Sequence, residues 1–294
     1  MPGFGWITFL SDYGLDDAFV GICHGVIART APAVRVIDVC HEVAPQDVEH
    51  GATTLASAVE YLPEAVHLCV VDPGVGTKRR GVAVVTARGS VTVGPDNGVA
   101  SLAWRELGGA VEAYRIDNES LWLPNPSKTF HGRDVFAPVA AHLANGVPLT
   151  DVGERIDVDS LVRVTQRQPE VDEDHVHGEV WSVDHFGNLS LNVHRSDLEA
   201  AGMNLGDIVE LRLHGRTLEV PFTVTFGEVA PGRTAVCEDS YRRITVAVNL
   251  GHAADTLRAG RGDPVVISRV ARKATRAQQP IGLLDPPPAT SSIK

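Results

Sequence analysis

Four segments of this chain of 294 residues carry polar or charged residues and glycines beside apolar runs: 11–17, 71–80, 129–134 and 183–188. In the second segment Asp72 precedes Arg79 by seven residues across a Gly/Pro loop, so the two can face each other as an ion pair. Arg80 is adjacent and competes for the same carboxylate. The G-x-x-x-x-G-K-[ST] spacing of a phosphate-binding loop is absent, which disfavours binding of nucleoside triphosphates.

The other three segments each have a structural and a chemical explanation. Asp12 can begin a turn or cap a helix, or it can bind ribose hydroxyls through both carboxylate oxygens. His131 can be a structural histidine or can handle a proton. The sequence Phe-Gly-Asn at 186–188 is typical of a hairpin, yet it can also stack on and hydrogen-bond an adenine. The residues alone leave these alternatives open.

Hydrophobic periodicity predicts the elements that position these segments. Apolar runs predict buried strands at residues 6–10, 34–39, 66–71 and 82–86. Amphipathic spacing predicts helices at 16–29 and 47–61, each opening on an aspartate. This alternation predicts an α/β domain with a parallel, Rossmann-like sheet, whose ligands bind at the carboxyl ends of the strands. Asp12, Cys40-His41 and Asp72 each follow a strand and are expected there.

From about residue 168 the pattern changes to strand alternation, which predicts a smaller, all-β barrel domain. Its strands are predicted at 177–183, 189–193, 208–213, 217–220, 244–248 and 264–268. We therefore predict an α/β domain at 1–167, a β domain at 168–272 and a disordered, Pro-rich tail at 273–294.

Composition excludes several classes of protein. The formal net charge is −11 and no Lys/Arg block exceeds residues 78–80, so nucleic acid is not an expected partner. No apolar stretch approaches the roughly 18 residues of a membrane span, and the first ten residues have no basic region. The four cysteines form no CxxC pair and lie mostly in apolar runs. This indicates reduced thiols in a cytoplasmic protein.

Seven motifs occur in order along the chain: SDYG, HEVAPQDVEHGA, VVDPGVGTKRR, GPDNG, FHGRDVFAP, DHFGN and the pair DSY and VAVN. They resemble those of the S-adenosyl-L-methionine hydroxide adenosyltransferases, relatives of the fluorinase and chlorinase enzymes. Each motif alone is weak. Together, from about residue 6 to residue 268, they identify the chain as a member of that family.

The resemblance implies an enzyme that hydrolyses S-adenosyl-L-methionine to adenosine and L-methionine, with Asp72, Arg79 and His131 handling the water. The ligand contacts that it implies are Asp12 (ribose), Phe130 (the reacting carbon), Asp184 and Ser240 (methionine), and Phe186, Asn188, Asn249 and Leu250 (adenine). S-adenosylmethionine is then the substrate, so no cofactor and no metal are expected. The family also implies a homotrimer with the ligand between the N-terminal domain of one subunit and the C-terminal domain of the next.

Three alternative functions would need different residues from those that this chain carries. A halogenase of this family has an aromatic residue where this chain has Asp72, and a non-catalytic sensor would not need the whole triad. A methyltransferase typically has a Gly-rich loop after its first strand, whereas residues 11–17 contain one glycine. Arg79 is expected to lower the pKa of Asp72 and weaken it as a base, while stabilising hydroxide-like charge on the water. The group that finally accepts the proton stays open.

Overall fold

A mixed seven-stranded sheet forms the first half of the chain in this computed structural model, which describes residues 3–165 and 167–270. Its spatial order is β2-β1-β3-β5-β4-β6-β7. The strands are β1 (Trp6–Ser11), β2 (Arg35–Cys40), β3 (Val66–Val70), β4 (Gly81–Thr86), β5 (Val91–Pro95), β6 (Ala110–Arg115) and β7 (Arg155–Ile156). The predicted tail at 273–294 lies outside the described residues.

The prediction of a parallel sheet is correct for one part of this sheet and wrong for the other. Strands β1, β2, β3 and β5 run parallel, whereas β4, β6 and β7 pair antiparallel. The run at 82–86 is a strand, as predicted, but a tight turn joins β4 directly to β5. Gly89 in that turn has φ 91°. Because so short a connection cannot cross over the sheet, the two strands must be antiparallel.

Helices cover both faces of this sheet. They are α1 (Phe19–Thr30), α2 (Val48–Val59), α3 (Ser101–Glu106) and α4 (Ala137–Ala144), with a π-helical turn at Gly132–Phe136 before α4. Helix α2 is capped as predicted, because the Asp47 side chain accepts a hydrogen bond from His50 N at 3.0 Å. Helix α1 begins later than predicted, at Phe19 rather than at Asp16, and has no acidic residue in its first turn.

An antiparallel, nearly closed sheet forms the second half, in the order β12-β11-β15-β9-β10-β14-β13 with β8 beside β9. A bridge between Phe222 and Val236 connects its two ends. Leu189, Leu191 and Phe222 lie fully buried in its core. Its elements are β8 (Glu170–Val171), β9 (His175–Val183), β10 (Leu189–His194), α5 (Arg195–Ala200), β11 (Ile208–Leu213), β12 (Arg216–Pro221), β13 (Thr234–Glu238), β14 (Arg243–Val248), α6 (Ala253–Leu257) and β15 (Pro264–Arg269).

The two halves meet along α2 and β9. Trp181 of β9 packs with Ala52 and Leu102, and Arg261 forms an ion pair with Asp47. None of the helices within residues 3–165 and 167–270 is long and apolar enough to cross a membrane. All four cysteines are free thiols, as predicted, and all but the half-buried Cys40 are buried.

Candidate active site

The carboxyl ends of β1 and β3 place two aspartates at one edge of the first sheet. The two strands are parallel neighbours in which Ser11 is paired with Val70. Asp12 directly follows β1, and Asp72 comes two residues after β3 ends. Because parallel strands end at the same edge, both carboxylates lie where ligands bind in α/β sheets.

Asp72, Arg79 and His131 form one connected cluster at this edge. Arg79 Nε donates to Asp72 Oδ1 at 3.0 Å, and Arg79 Nη2 forms a short contact with Asp72 Oδ2. The same Nη2 lies 3.2 Å from His131 Nδ1. The side chains of Asp72 and Arg79 are only 7% and 10% exposed. The predicted pair therefore forms, is bidentate and is largely removed from water.

The structure separates Arg79 from its neighbour. Arg80 Nε donates to Asp96 Oδ2 at 2.9 Å, and Arg80 Nη2 donates to Ser160 O at 2.8 Å. One arginine therefore reaches Asp72 and the other reaches Asp96. Arg79 is thus the partner of Asp72.

A glycine loop brings Arg79 to Asp72 and brings both to the segment that carries His131. Val75 N donates to Asp72 O and Thr77 N to Gly74 O, both at 3.2 Å. Gly76 has φ 75°, and a β-carbon there would collide with Lys128 O. Only glycine tolerates both that backbone conformation and that close approach.

Burial has opposite effects on the acid and the imidazole of this cluster. It raises the pKa of Asp72 above its usual range, although the charge and the hydrogen bonds of Arg79 oppose the change. Arg79 lowers this pKa, as expected, but desolvation of the carboxylate outweighs the ion pair, so the net change is upward. Burial lowers the pKa of His131, and Arg79 lowers it further. His131 is accordingly a neutral imidazole at pH 7.

An aromatic wall lies beside the cluster. The Phe130 ring meets Tyr13 edge-on at 5.5 Å and Phe19 at 5.2 Å between centroids. The Arg133 guanidinium lies 4.8 Å from the Phe130 centroid. A β-carbon at residue 132 would collide with Tyr13 Oη, so Gly132 leaves room for this tyrosine.

Two residues of this region were missed by the sequence analysis. Burial raises the pKa of Tyr13 well above its usual value, and the charges of Asp12 and Asp72 raise it further. Gln46, in the left-handed region at φ 65°, donates its backbone N–H to Asp12 Oδ2 at 2.8 Å. The position of Tyr13 next to Asp12 in the SDYG motif could have suggested that it lies in this region. The Gln46 contact uses only a backbone N–H, so the residue type at position 46 gives no signal of it.

The predicted ligand contacts of the second half lie in three connections of the β domain. Asp184, Phe186 and Asn188 occupy the turn between β9 and β10. Asp184 Oδ1 accepts from the backbone N–H groups of Phe186 at 2.9 Å and Asn188 at 2.8 Å, and Asp184 Oδ2 accepts from Asn188 Nδ2 at 2.7 Å. The Phe186 side chain is 72% exposed. The turn is a self-bonded hairpin that presents an aromatic ring to solvent.

Ser240 and the residues after β14 complete this second group. Asp184, Asn188 and Ser240 line one cavity of about 260 Å³. Asn249 Nδ2 donates to Val229 O at 2.6 Å, and Leu250, at φ 51°, is 86% exposed.

Within the described part of the chain, no hydrogen bond, ion pair or ring contact joins this group to the cluster of Asp72, Arg79 and His131. At Ser240 the two halves are in contact through a hydrogen bond in which Tyr61 Oη donates to Ser240 O at 3.5 Å. Tyr61 follows α2 and belongs to neither group. One chain thus carries two separate sets of polar and aromatic residues.

Comparisons with known proteins cover almost the whole described chain. Residues 7–153 match the model of the SAM hydroxide adenosyltransferase N-terminal domain, and residues 178–266 match that of the C-terminal domain. The chain is 48% identical to an (R)-S-adenosyl-L-methionine hydrolase of Salinispora tropica, over 88% of this chain and 95% of the relative. It is 42% identical to a Thermus thermophilus protein of the same name, over 88% and 98%.

A fluorinase and a solved structure are also similar. The fluorinase of Nocardia brasiliensis is 33% identical, over 80% of this chain and 87% of the relative. An uncharacterized conserved protein from Thermotoga maritima has a crystal structure that superposes with a TM-score of 0.85, at 39% identity over 90% of this chain and all of that one.

Proposed function

Because this chain belongs to the S-adenosyl-L-methionine hydroxide adenosyltransferase family, we propose that it hydrolyses S-adenosyl-L-methionine to adenosine and L-methionine with water held by Asp72, Arg79 and His131. The observation that carries the assignment of the site is the buried hydrogen-bonded cluster of these three side chains. Its groups match the needs of a water nucleophile. The enzyme is a hydrolase, like its relatives of 42–48% identity.

The substrate supplies part of the catalysis. The sulfonium activates its own C5′ carbon, and methionine leaves as a neutral thioether that needs no general acid. The water oxygen forms a bond to C5′, the C5′–S bond breaks and its electron pair goes to sulfur. One proton is released. The protein therefore has to hold a water in line with the C5′–S bond and assist the loss of its proton.

Each member of the cluster has a distinct part in holding that water. Asp72 accepts a hydrogen bond from it, and its raised pKa makes it a better proton acceptor than an ordinary aspartate. His131, a neutral imidazole, orients the water. Arg79 fixes the other two groups and stabilises hydroxide-like charge on the oxygen.

The remaining predicted residues bind the substrate in this proposal. Asp12, held by the backbone of Gln46, binds the ribose hydroxyls, and Phe130 lies beside the reacting carbon. Asp184 and Ser240 contact the methionine amino and carboxylate groups. The adenine is bound by Phe186 and Asn188, together with Asn249 and Leu250.

Halide is a poor nucleophile for this site. A halide anion would have to lose its hydration beside the buried carboxylate of Asp72, which repels it. We expect no halogenated nucleoside from S-adenosylmethionine in the presence of fluoride or chloride.

Hydrolysis in heavy-oxygen water tests the reaction. Purified protein is incubated with S-adenosylmethionine in ordinary and in ¹⁸O-enriched water, and the nucleoside is weighed by mass spectrometry. We expect one ¹⁸O at the 5′ position of adenosine. Unlabelled adenosine would show that another oxygen source attacks. Tight binding without any product would identify a non-catalytic sensor instead.

The hydrolases related to this chain act on the (R) epimer according to their names, and we extend that preference to this chain. The two sulfonium epimers differ in the side on which the methyl group projects, so the walls of the pocket distinguish them. Measuring kcat/KM for each of the two separated epimers tests this preference. Equal values would overturn the preference while leaving the hydrolysis itself in place.

A homotrimer would explain why two half-sites lie apart in one chain. In the assembly that we propose, the N-terminal cluster of one subunit faces the second group of the next, and the exposed Phe186 and Leu250 become buried against the ligand and the neighbour. Light scattering should give a trimer or a multiple of it, with activity falling on dilution as the assembly dissociates. A fully active monomer at micromolar concentration would remove this proposal.

A further inference from the structure

Three side chains that the hydrolysis does not use lie together between α1 and the end of β2. His24 Nε2 is 2.8 Å and His41 Nε2 is 3.0 Å from the same oxygen, Asp38 Oδ1. One ligand atom from each of the three lies within 4.8 Å of the other two.

We propose that His24, Asp38 and His41 form a binding site for one divalent transition-metal ion of the zinc type. Two imidazole nitrogens and one carboxylate oxygen are ligands that Zn²⁺, Co²⁺ and Ni²⁺ share. Mg²⁺ and Ca²⁺ prefer all-oxygen sites and are not expected here. This assignment is new relative to the hydrolysis, which requires no metal.

The spacing is close to that of a bound site. With metal–ligand distances of about 2.0–2.2 Å, tetrahedral ligands lie roughly 3.3–3.6 Å apart. The two His–Asp distances, 2.8 and 3.0 Å, must therefore open by about 0.3–0.8 Å. His24 and Asp38 have the freedom to do so, since their side chains are 34% and 44% exposed. His41, at 4% exposure, is the fixed member.

His41 is held in the orientation that a ligand requires. Its Nδ1 lies 2.7 Å from Ser11 Oγ, which leaves Nε2 directed at Asp38. The Phe9 ring packs edge-on against the imidazole at 4.6 Å. When a metal binds Nε2, the ring proton moves to Nδ1 and is donated to Ser11 Oγ, an outer hydrogen bond of the kind that supports metal-binding histidines.

The charge of Asp38 also suits a cation. Its Oδ1 lies within hydrogen-bond distance of both imidazoles, so a cation at this point would contact the carboxylate and both rings. Its exposed oxygen provides the entry path, and the fourth coordination position is left to water.

The site is connected to the ribose-binding loop. Ser11, the partner of His41, directly precedes Asp12, and Gly14 N donates to His41 O at 2.8 Å. A bound metal would restrain the segment 11–14 as well as His41. Since this coupling runs through the proposed substrate site, binding of the metal rather than activity is the measurement of choice.

Titration of the metal-free full-length protein with Zn²⁺ tests the proposal, with Co²⁺ absorption as a report of coordination geometry. We expect His24→Ala and Asp38→Asn to lose one equivalent of Zn²⁺ per chain and the tetrahedral Co²⁺ spectrum. His24→Gln keeps a donor for Asp38 but lacks the imidazole, so it should also lose the ion. The affinity should fall by more than about 100-fold, because loss of an outer partner alone costs about 10- to 100-fold.

The matched control is His214→Ala, which removes a histidine that lies 2.8 Å from one aspartate, Asp263. It should bind Zn²⁺ like the wild type. Binding at other exposed histidines, such as His175 and His177, would survive in every variant. If the wild type binds no Zn²⁺, or if His24→Ala and Asp38→Asn bind it as the wild type does, the site does not exist.

Discussion

The two groups of predicted site residues differ in whether a single chain buries and orders them. Asp72 and Arg79 are almost wholly buried and bonded to each other and to His131. Phe186 and Leu250, in contrast, are 72% and 86% exposed. The first group is therefore preorganised for chemistry before any ligand arrives. The second is a set of surface turns whose apolar side chains need a ligand or a neighbouring chain to cover them.

The largest expected effect comes from breaking the preorganised group. Asp72→Asn, Arg79→Lys and His131→Ala should each lower single-turnover hydrolysis by about 10²-fold or more, the scale of losing a positioned base or an electrostatic donor. Lysine cannot reproduce the bidentate contact of Arg79 with Asp72. Substrate affinity, measured by calorimetry, should change little because these groups act on the water.

The adjacent arginine provides the control for this series. Arg80→Lys weakens the contacts with Asp96 and Ser160, which lie outside the cluster, and should keep wild-type turnover. Because the three residues act on one water, Asp72→Asn combined with His131→Ala should lose far less than the product of the single effects. Independent, multiplying losses would contradict a shared water.

The next effect concerns acid stability, where the first sheet should be the weaker half. His67 in β3 is fully buried, with Nδ1 2.7 Å from Thr8 Oγ1. Burial lowers its pKa to about 4. The unfolded chain takes up a proton near pH 6.5, but the folded chain resists protonation until about pH 4. Stability present above pH 6.5 is thus lost as the pH falls toward 4, by roughly 3 kcal/mol.

Urea denaturation at pH 7 and at pH 4 measures this loss, and hydrogen exchange locates it. Between these pH values the free energy of unfolding of His67→Gln should fall by about 3 kcal/mol less than that of the wild type. His177→Gln, at an exposed position of β9, is the matched control and should follow the wild type. Equal acid sensitivity of all three proteins would mean that other groups govern it.

The smallest effect is expected in the exposed group. Asn188→Ala removes an amide that can donate to and accept from the adenine edge, so adenosine should bind more weakly by roughly 1–3 kcal/mol. Turnover of bound substrate should be nearly unchanged, unlike in the triad variants. The control is Asn204→Ala, an exposed asparagine that does not line the cavity. If the affinity for adenosine measured by calorimetry is unchanged, residues 186–188 form a structural hairpin and do not bind adenine.

The elements of the fold were largely predictable, because local patterns encode them. Apolar runs in the first half and alternating apolar residues in the second placed ten of the fifteen strands, and Asp47 marked the start of α2. The direction of β4 was not predictable from its apolar run, since an isolated run of that kind fits either orientation. It depended on the short turn at Gly89, which permits only antiparallel pairing. The start of α1 was misjudged because Asp16 and Asp17 precede Phe19 without capping the helix.

The sequence by itself determined which groups meet in the cluster: the loop between Asp72 and Arg79 brings them together through its glycines, and the motif order identified the family. The motif match also selected Arg79 over Arg80. Tertiary structure alone decided that Asp12 is held by the backbone of Gln46. It also set the net pKa change of Asp72, which is upward even though Arg79 lowers this pKa as expected. Ion pairing can be inferred from spacing, but the desolvation that outweighs it depends on every residue packed around the carboxylate, and only the folded chain defines that environment.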